Sequence, residues 1–265
     1  MRSKPLLRFV ALGYLALLLG IPVALVFMNA FQDGVGPAWD AVTTPEAQHA
    51  FYLTFVMVAV AVPLNTIFGV LAALAIVRQR FRGRALLNAA IDLPFAVSPV
   101  VVGLSLLLVY GTRDGWVGQW FADQGIRIIF STPGMILATM FVSLPFVVRE
   151  VIPVLREIGT EQEQAAATLG AGPLQTFLRV TLPAIRWGVA YGVILTTARA
   201  LGEYGAVSVV SGKLSGQTET ATLLVERYFQ QFNATGAYAA AVVLALLALV
   251  TLLAMNLIRP KEGRT

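Results

Sequence analysis

Apolar residues run almost uninterrupted through six stretches of the chain, at 9–30, 51–77, 85–110, 133–155, 187–210 and 237–258. Each is at least as long as the roughly 20 residues that carry a helix across a hydrocarbon core. Neither a period of two nor a one-sided helical stripe interrupts them, so they read as membrane-spanning helices rather than strands or surface helices. Pro22, Pro63, Pro94, Pro99 and Pro145 fall inside these spans and mark expected kinks, since neighbouring helices or cavity water can satisfy the freed carbonyls. The fourth stretch is the least clean, because Arg149 and Glu150 lie near its end. The expected fold is an all-α membrane protein of six transmembrane helices in one domain spanning 1–265.

Between the fourth and fifth stretches the pattern changes. The loop 156–186 contains EQEQAAATLGAGPLQTFLRVTLP, from Glu161 to Pro183, and this segment has the punctuation of two short helices. Thr160 and Glu163 are spaced for a capping box. Gly170 suits a left-handed helix terminus, and Gly172-Pro173 opens a second helix. Leu174, Phe177 and Leu178 then share one face, and Pro183 is expected to end the element. A helix lying on lipid usually presents basic residues on its polar face; this one opens with Glu161 and Glu163, which favours a protein partner.

Composition agrees with the pattern. The chain is 57% hydrophobic and 12% charged, against about 25% charged residues in a soluble domain. The first apolar run is too long for a signal-peptide core and is expected to be a retained helix. The net charge is +5, which alone would admit a nucleic-acid partner, but the basic residues are sorted by side. One set of loops holds Arg2, Lys4 and Arg8, then Arg78, Arg80, Arg82 and Arg84. It continues with Arg149, Arg156, Arg179 and Arg186, and ends with Arg259, Lys261 and Arg264. The other set holds only Arg113, Arg127, Lys213 and Arg227. Basic loops stay inside, so both termini and the 156–186 loop are expected in the cytoplasm, and no nucleic acid is required. The chain has no cysteine and one histidine, His49, so neither a disulfide nor a metal site is expected. No nucleophile, base and acid stand together as an enzyme would need. Gly212-Lys213 lacks the spacing and the following Ser or Thr of a phosphate-binding loop.

The hairpin sequence resembles the EAA loop of the ABC importer permeases. Ala165 and Ala166 follow an acid-like position, Gly170 stands four residues after Ala166, and Val180-x-Leu182-Pro183 closes the motif. The departure is that Gln164 occupies the leading acidic position, with Glu161 and Glu163 beside it. DLPFAVSPVVVGL (92–104), LPFVVREVIPV (144–154) and ARALGEYGAVSVVSG (198–212) extend the likeness to the sulfate and thiosulfate branch of these permeases. The Gly202–Ala206 element is shared in kind with the molybdate permeases, so molybdate or tungstate remains open as cargo.

The resemblance implies a type I ABC importer permease in a bacterial cytoplasmic membrane, surrounded by lipid. Its loop would dock, through Glu161, Glu163, Gln164, Ala165, Ala166, Gly170, Leu182 and Pro183, in a dimer of separate ATPase subunits. ATP and magnesium would be bound there, with no cofactor in this chain. A second, related permease and an extracytoplasmic sulfate-binding protein would complete the assembly. An external motor fits the cargo, because a dianion entering against an inside-negative potential meets about 2.3 kcal/mol per charge per 100 mV.

Arg199 and Glu203 are four residues apart in the fifth stretch and share a helical face. They either line the translocation route or form a packing ion pair. As each other's counter-ion they would hold an anion only weakly. Tyr204, Ser98, Ser208 and Ser211 are further pathway candidates, although serines in bundles more often bond backbone. Asp92 is expected to be neutralised by Arg82 or Arg84. The segment 222–232 reads as an amphipathic helix on the outer side. An ATP-independent anion carrier and a non-transporting scaffold are the rival readings; the first leaves the acidic hairpin unexplained.

Overall fold

The computed structural model describes residues 4–258, and these form helices joined by short turns. The first arm consists of α1 (Lys4–Leu15), a π turn at Ala16–Gly20 and α2 (Ile21–Ala30); α3 (Val35–Thr43) follows. The central helix α4 (Pro45–Arg78) leads to α5 (Arg84–Ala96), α6 (Pro99–Tyr110) and the short α7 (Gly118–Asp123). Then come α8 (Thr132–Ser143) and α9 (Pro145–Glu157), the hairpin helices α10 (Glu161–Thr168) and α11 (Pro173–Thr176), and a π turn at Phe177–Thr181. The chain finishes with α12 (Leu182–Leu201), α13 (Val207–Val210), α14 (Ala221–Gln230) and α15 (Ala234–Ile258). Arg2, Arg259, Lys261 and Arg264, which entered the charge asymmetry, lie outside the described residues.

Among the described residues, five continuous helical runs are long and apolar enough to cross a membrane: Arg8–Ala30, Pro45–Arg78, Thr132–Glu157, Pro173–Leu201 and Ala234–Thr251. A sixth, Arg84–Ala96 with Pro99–Tyr110, qualifies only as a pair bent by 115°. The third span is therefore not the straight helix expected over 85–110. Pro99 donates no backbone hydrogen bond and pushes the residue before it out of helical space; Ser98 sits at ψ 135° and Val97 at ψ 134°. Pro63, by contrast, lies inside an α4 that continues through it. The fifth span also ends earlier than expected, at Leu201 rather than 210. The chain leaves the helix at Gly202 and forms the separate turn of α13. Ser208 and Ser211 thus lie beyond the span.

The start of α4 is well specified. Thr44 caps it by accepting a hydrogen bond from the Ala47 amide at 3.2 Å, Pro45 occupies the first turn, and Glu46 faces the positive end of the helix dipole. Small residues then set the central packing, in which α9 lies between α4 and α12. A Cβ added at Gly69 would come within 2.7 Å of the Val147 side chain. One added at Gly192 would come within 2.7 Å of the Val147 Cα, and one at Gly188 within 2.9 Å of the Glu150 carbonyl. Gly188 and Gly192 form a small-xxx-small step on α12, which allows close backbone approach in membranes. Asn65 on α4 adds polar contacts across the same bundle, donating to the Met140 carbonyl and the Ser143 hydroxyl, each at 2.9 Å.

Apolar packing concentrates at the two ends of the bundle. At the hairpin end, Ile76, Ile91, Val148, Val151, Leu155 and Ile185 are buried together. At the opposite end Leu53, Met57, Val102, Met135, Val207 and Val210 meet. The 222–232 segment does form an amphipathic helix, α14, but its apolar face (Leu223, Leu224 and Tyr228) is buried within the protein rather than lying free at an interface.

Candidate functional site

The hairpin between α9 and α12 is built by local chemistry. α10 ends in a Schellman turn: the Ala171 amide donates to Ala166 and the Gly170 amide to Ala167, both at 3.0 Å, with Gly170 at φ +84°. Pro173 starts α11 as expected. Pro183 does not end the second arm. It lies in the first turn of α12, and α11, the π turn and α12 run on as one continuous span from Pro173 to Leu201. The wider turn at Phe177–Thr181 precedes the proline and relieves the ladder there. The hairpin is therefore one short helix folded onto the foot of the fifth span, not two helices standing clear of the bundle.

The expected capping box is not formed; Thr160 caps α10 without a side-chain bond. The Glu163 carboxylate turns the other way, because a half-buried arginine competes for it. Arg78, in the last turn of α4, pairs with it at 3.0 Å and also donates to the carbonyls of Leu155 at 3.0 Å and Gly159 at 2.6 Å. Thr181 donates to the same carboxylate at 2.9 Å. The carboxylate thus joins the hairpin to the second and fifth spans, and Arg78 carries the link to the end of the fourth. Arg78 and Thr181 were not legible as site residues; the available signal was an arginine in the last turn of a span, two turns' reach from an acidic loop. A cleft of about 390 Å³ lies above this knot, lined by Leu74, Ala167, Ala171, Phe177 and the knot itself. On the hairpin's outer surface Glu161, Gln164, Ala165 and Gly170 are exposed, Ala166 is half-buried, and Leu169, Leu174 and Leu178 stand out at 89%, 69% and 51% exposure. Leu182 is half-buried and Pro183 exposed at the foot of the span.

At the far end, the second group of candidates divides. Arg199 and Glu203 form the expected pair at 2.8 Å, the arginine 31% exposed and the carboxylate 1%. Glu203 also accepts from the Ala206 amide at 2.8 Å, so it caps the turn that follows the span. Tyr204 is exposed. Partial desolvation of its hydroxyl and the neighbouring Glu226 carboxylate raise its pKa above the ordinary phenol value. Ser208 donates to the Gly205 carbonyl at 2.9 Å, and Ser211 is buried and accepts from the Lys213 amide at 3.1 Å, so both serve the backbone. Ser98 is exposed at the bend of the third span. The bend packs on this element: a Cβ at Gly205 would be 2.9 Å from Pro99 Cβ, and one at Gly103 2.7 Å from the Ala206 carbonyl. The two glycine-bearing segments singled out in the sequence therefore meet, which brings Ser98 beside the Gly202–Ala206 turn.

Asp92 pairs with Arg149 of α9, whose Nε lies 2.7 Å from it, and not with Arg82 or Arg84. Arg82 lies in the turn before α5 and Arg84 is its first residue, two turns or more behind Asp92. Arg149 instead reaches across from the adjacent helix.

Residues 65–264 match the family described as binding-protein-dependent transport system inner membrane component. The chain is similar to a Synechocystis protein named sulfate transport system permease protein CysW, 54% identical over 99% of this chain and 95% of the relative. It is 42% identical to a Synechococcus elongatus protein named sulfate transport system permease protein CysT, over 95% of this chain and 90% of that one. A crystal structure of a bacterial ABC transporter involved in alginate import superposes with a TM-score of 0.80, at 18% identity over 99% of this chain and 97% of that one. At that identity the superposition speaks for the fold alone. A family match over most of the chain, a six-span helical bundle with a broken third span, and the same overall fold in an importer permease agree: this multi-pass membrane chain belongs to the family of binding-protein-dependent transport system inner membrane components.

Proposed function

We propose that the chain is one of two permease subunits of an ATP-driven importer of sulfate and thiosulfate. It would lie in a bacterial cytoplasmic membrane with its termini and hairpin on the cytoplasmic side. The observation that carries the coupling is the hairpin. It offers Leu169, Leu174 and Leu178 with exposed Glu161 and Gln164 to a partner, while Glu163 and Arg78 together anchor it to three spans. An exposed apolar patch of this kind on a rigid support is an interaction surface. The partner is a separate ATPase dimer that holds ATP and magnesium. The departure at Gln164 is consistent with this division of labour, since Gln164 bonds Thr160 locally at 3.0 Å.

The greater identity to the relative named CysW than to that named CysT supports a second, different permease as the other half of the pore. When ATP draws the two ATPase subunits together, the hairpins approach one another and the spans tied to them open outward. A loaded extracytoplasmic binding protein then delivers the anion, and hydrolysis returns the pair to the inward state. Arg199, Tyr204 and Ser98 line the outer half of the route, and buried Glu203 holds Arg199 in place there. Ser208 and Ser211 hold the turn that shapes it.

The test is reconstitution of the complex with its ATPase, second permease and binding protein in liposomes. ATP hydrolysis and uptake are followed as sulfate, thiosulfate and molybdate are added. Sulfate-stimulated, binding-protein-dependent hydrolysis with ATP-dependent uptake is expected. Stimulation by molybdate alone transfers the assignment to that oxyanion, and uptake without ATP refutes the coupling.

A further inference from the structure

Asp92 lies about two turns into α5 and Arg149 about two turns before the end of α9, so each is roughly 12 Å from the hairpin end of its helix. Their side chains are 44% and 34% exposed. Charged groups at such depth are found facing a bundle interior or a watery cavity, because lipid gives them no solvation. A second feature of the same helix agrees. α5 ends in extended backbone at Val97 and exposed Ser98, and non-helical backbone at membrane depth is tolerated only inside protein or along water. One turn deeper than the ion pair, Phe95 and Phe146 meet edge to face at 5.5 Å. On this side of the molecule an ion pair thus lies one turn from an aromatic pair.

The arginine's geometry leaves it a use. Its Nε donates to one Asp92 oxygen and its buried Nη2 lies against the other, which leaves the second terminal nitrogen, Nη1, to donate to an oxyanion. The arrangement parallels Arg199–Glu203 at the far end, where an arginine about one-third exposed is likewise tied to a carboxylate. We propose that Arg149 is a second anion-binding group, on the cytoplasmic half of the translocation route, and that Asp92 keeps its grip weak enough for release. This rests on the anion-import reading above and adds to it a site near the exit. The bound species is a tetrahedral oxyanion, taken by Nη1 of Arg149 after it passes Phe95 and Phe146.

The chain has no cysteine, which makes accessibility direct to measure. In the reconstituted complex, Ala96→Cys, one turn beyond Asp92 on its exposed face, is treated with a membrane-impermeant charged thiol reagent, and the mass of this chain is followed. Labelling is expected, slowed several-fold by sulfate; no labelling in any nucleotide state means that lipid or the second permease covers this face, and overturns the proposal. Arg149→Gln should lower sulfate uptake about tenfold, the scale of one charge-assisted hydrogen bond, while hydrolysis stimulated by loaded binding protein persists. Arg149→Lys should recover part of the uptake. Asp92→Asn should slow turnover and shift inhibition by sulfate on the cytoplasmic side to lower concentration. If these variants alter only the yield of assembled complex, the pair is a packing contact and the proposal fails. Wild-type complex without oxyanion uptake would instead remove the functional reading beneath it.

Discussion

Glu163 belongs to the hairpin by sequence and to the bundle by contact, since Arg78 and Thr181 hold its carboxylate between spans. A hydrogen bond to a charged group contributes about 1.5–3 kcal/mol. Glu163→Gln is expected to cost about 2 kcal/mol, because it leaves Arg78 partly buried without its counter-ion. Uncoupling should show before unfolding: more ATP hydrolysed per anion moved, with the complex still assembled. An unchanged ratio would mean that the knot is packing alone. At the end of the bundle away from the hairpin, Lys213 pairs with Glu226 at 2.8 Å. Burial opposes ionisation of Glu226, but its bonds from Lys213, Tyr204 and Gln230 win and hold its pKa below the ordinary 4.5. A lowered carboxylate pKa stabilises the fold above the ordinary value, and that contribution disappears as pH falls through the lowered one. The melting-temperature difference between wild type and Glu226→Gln should therefore be steady above about pH 5 and shrink below pH 4.

At the scale of elements, the hairpin and the broken third span follow different rules. α10 is only eight residues long, too short to hold itself. It persists through its Schellman turn and the Arg78 knot, so the exposed leucines that follow it, Leu169 at its end and Leu174 and Leu178 on the second arm, are not needed to hold it. Leu174→Ser should leave the melting temperature of the isolated permease within about a degree, as surface substitutions usually do, and weaken ATPase association severalfold in a pull-down or binding titration. Equal association would place the docking surface elsewhere. The third span bends because Pro99 interrupts the ladder, and the bend survives because Gly205 and Gly103 let its second leg settle onto the Gly202–Ala206 turn and α13.

For the whole molecule, Val147 is the point on which three spans close. Gly69 meets its side chain, whereas Gly192 meets its Cα. Overpacking a tight core costs about 1–3 kcal/mol. Gly69→Ala and Gly192→Ala should both lower the melting temperature of the purified protein. Val147→Gly removes the side chain that Gly69→Ala strikes and should partly rescue it, but it cannot rescue Gly192→Ala, whose clash is with backbone. Equal rescue of both would refute this packing.

Apolar run length announced the spans and the hairpin from sequence alone, because a hydrocarbon core requires continuous apolar residues and a helix end requires particular residues at particular places. Gly170, Pro173 and the Arg199–Glu203 pair were legible for the same reason: each depends on neighbours within four or five positions. The partners of Glu163 and Asp92 were not. Local spacing offered Thr160 to the one and Arg82 or Arg84 to the other, while the fold supplied Arg78 and Arg149 from separate helices. Pro63 and Pro99 look alike in a span, yet only the packed bundle determined that α4 runs through the first and that the third span turns by 115° at the second. What a residue does to its own turn is fixed by covalent geometry and local hydrogen bonding. Which distant side chain neutralises a charge, or which glycine accommodates a bend, is decided by how the helices approach one another.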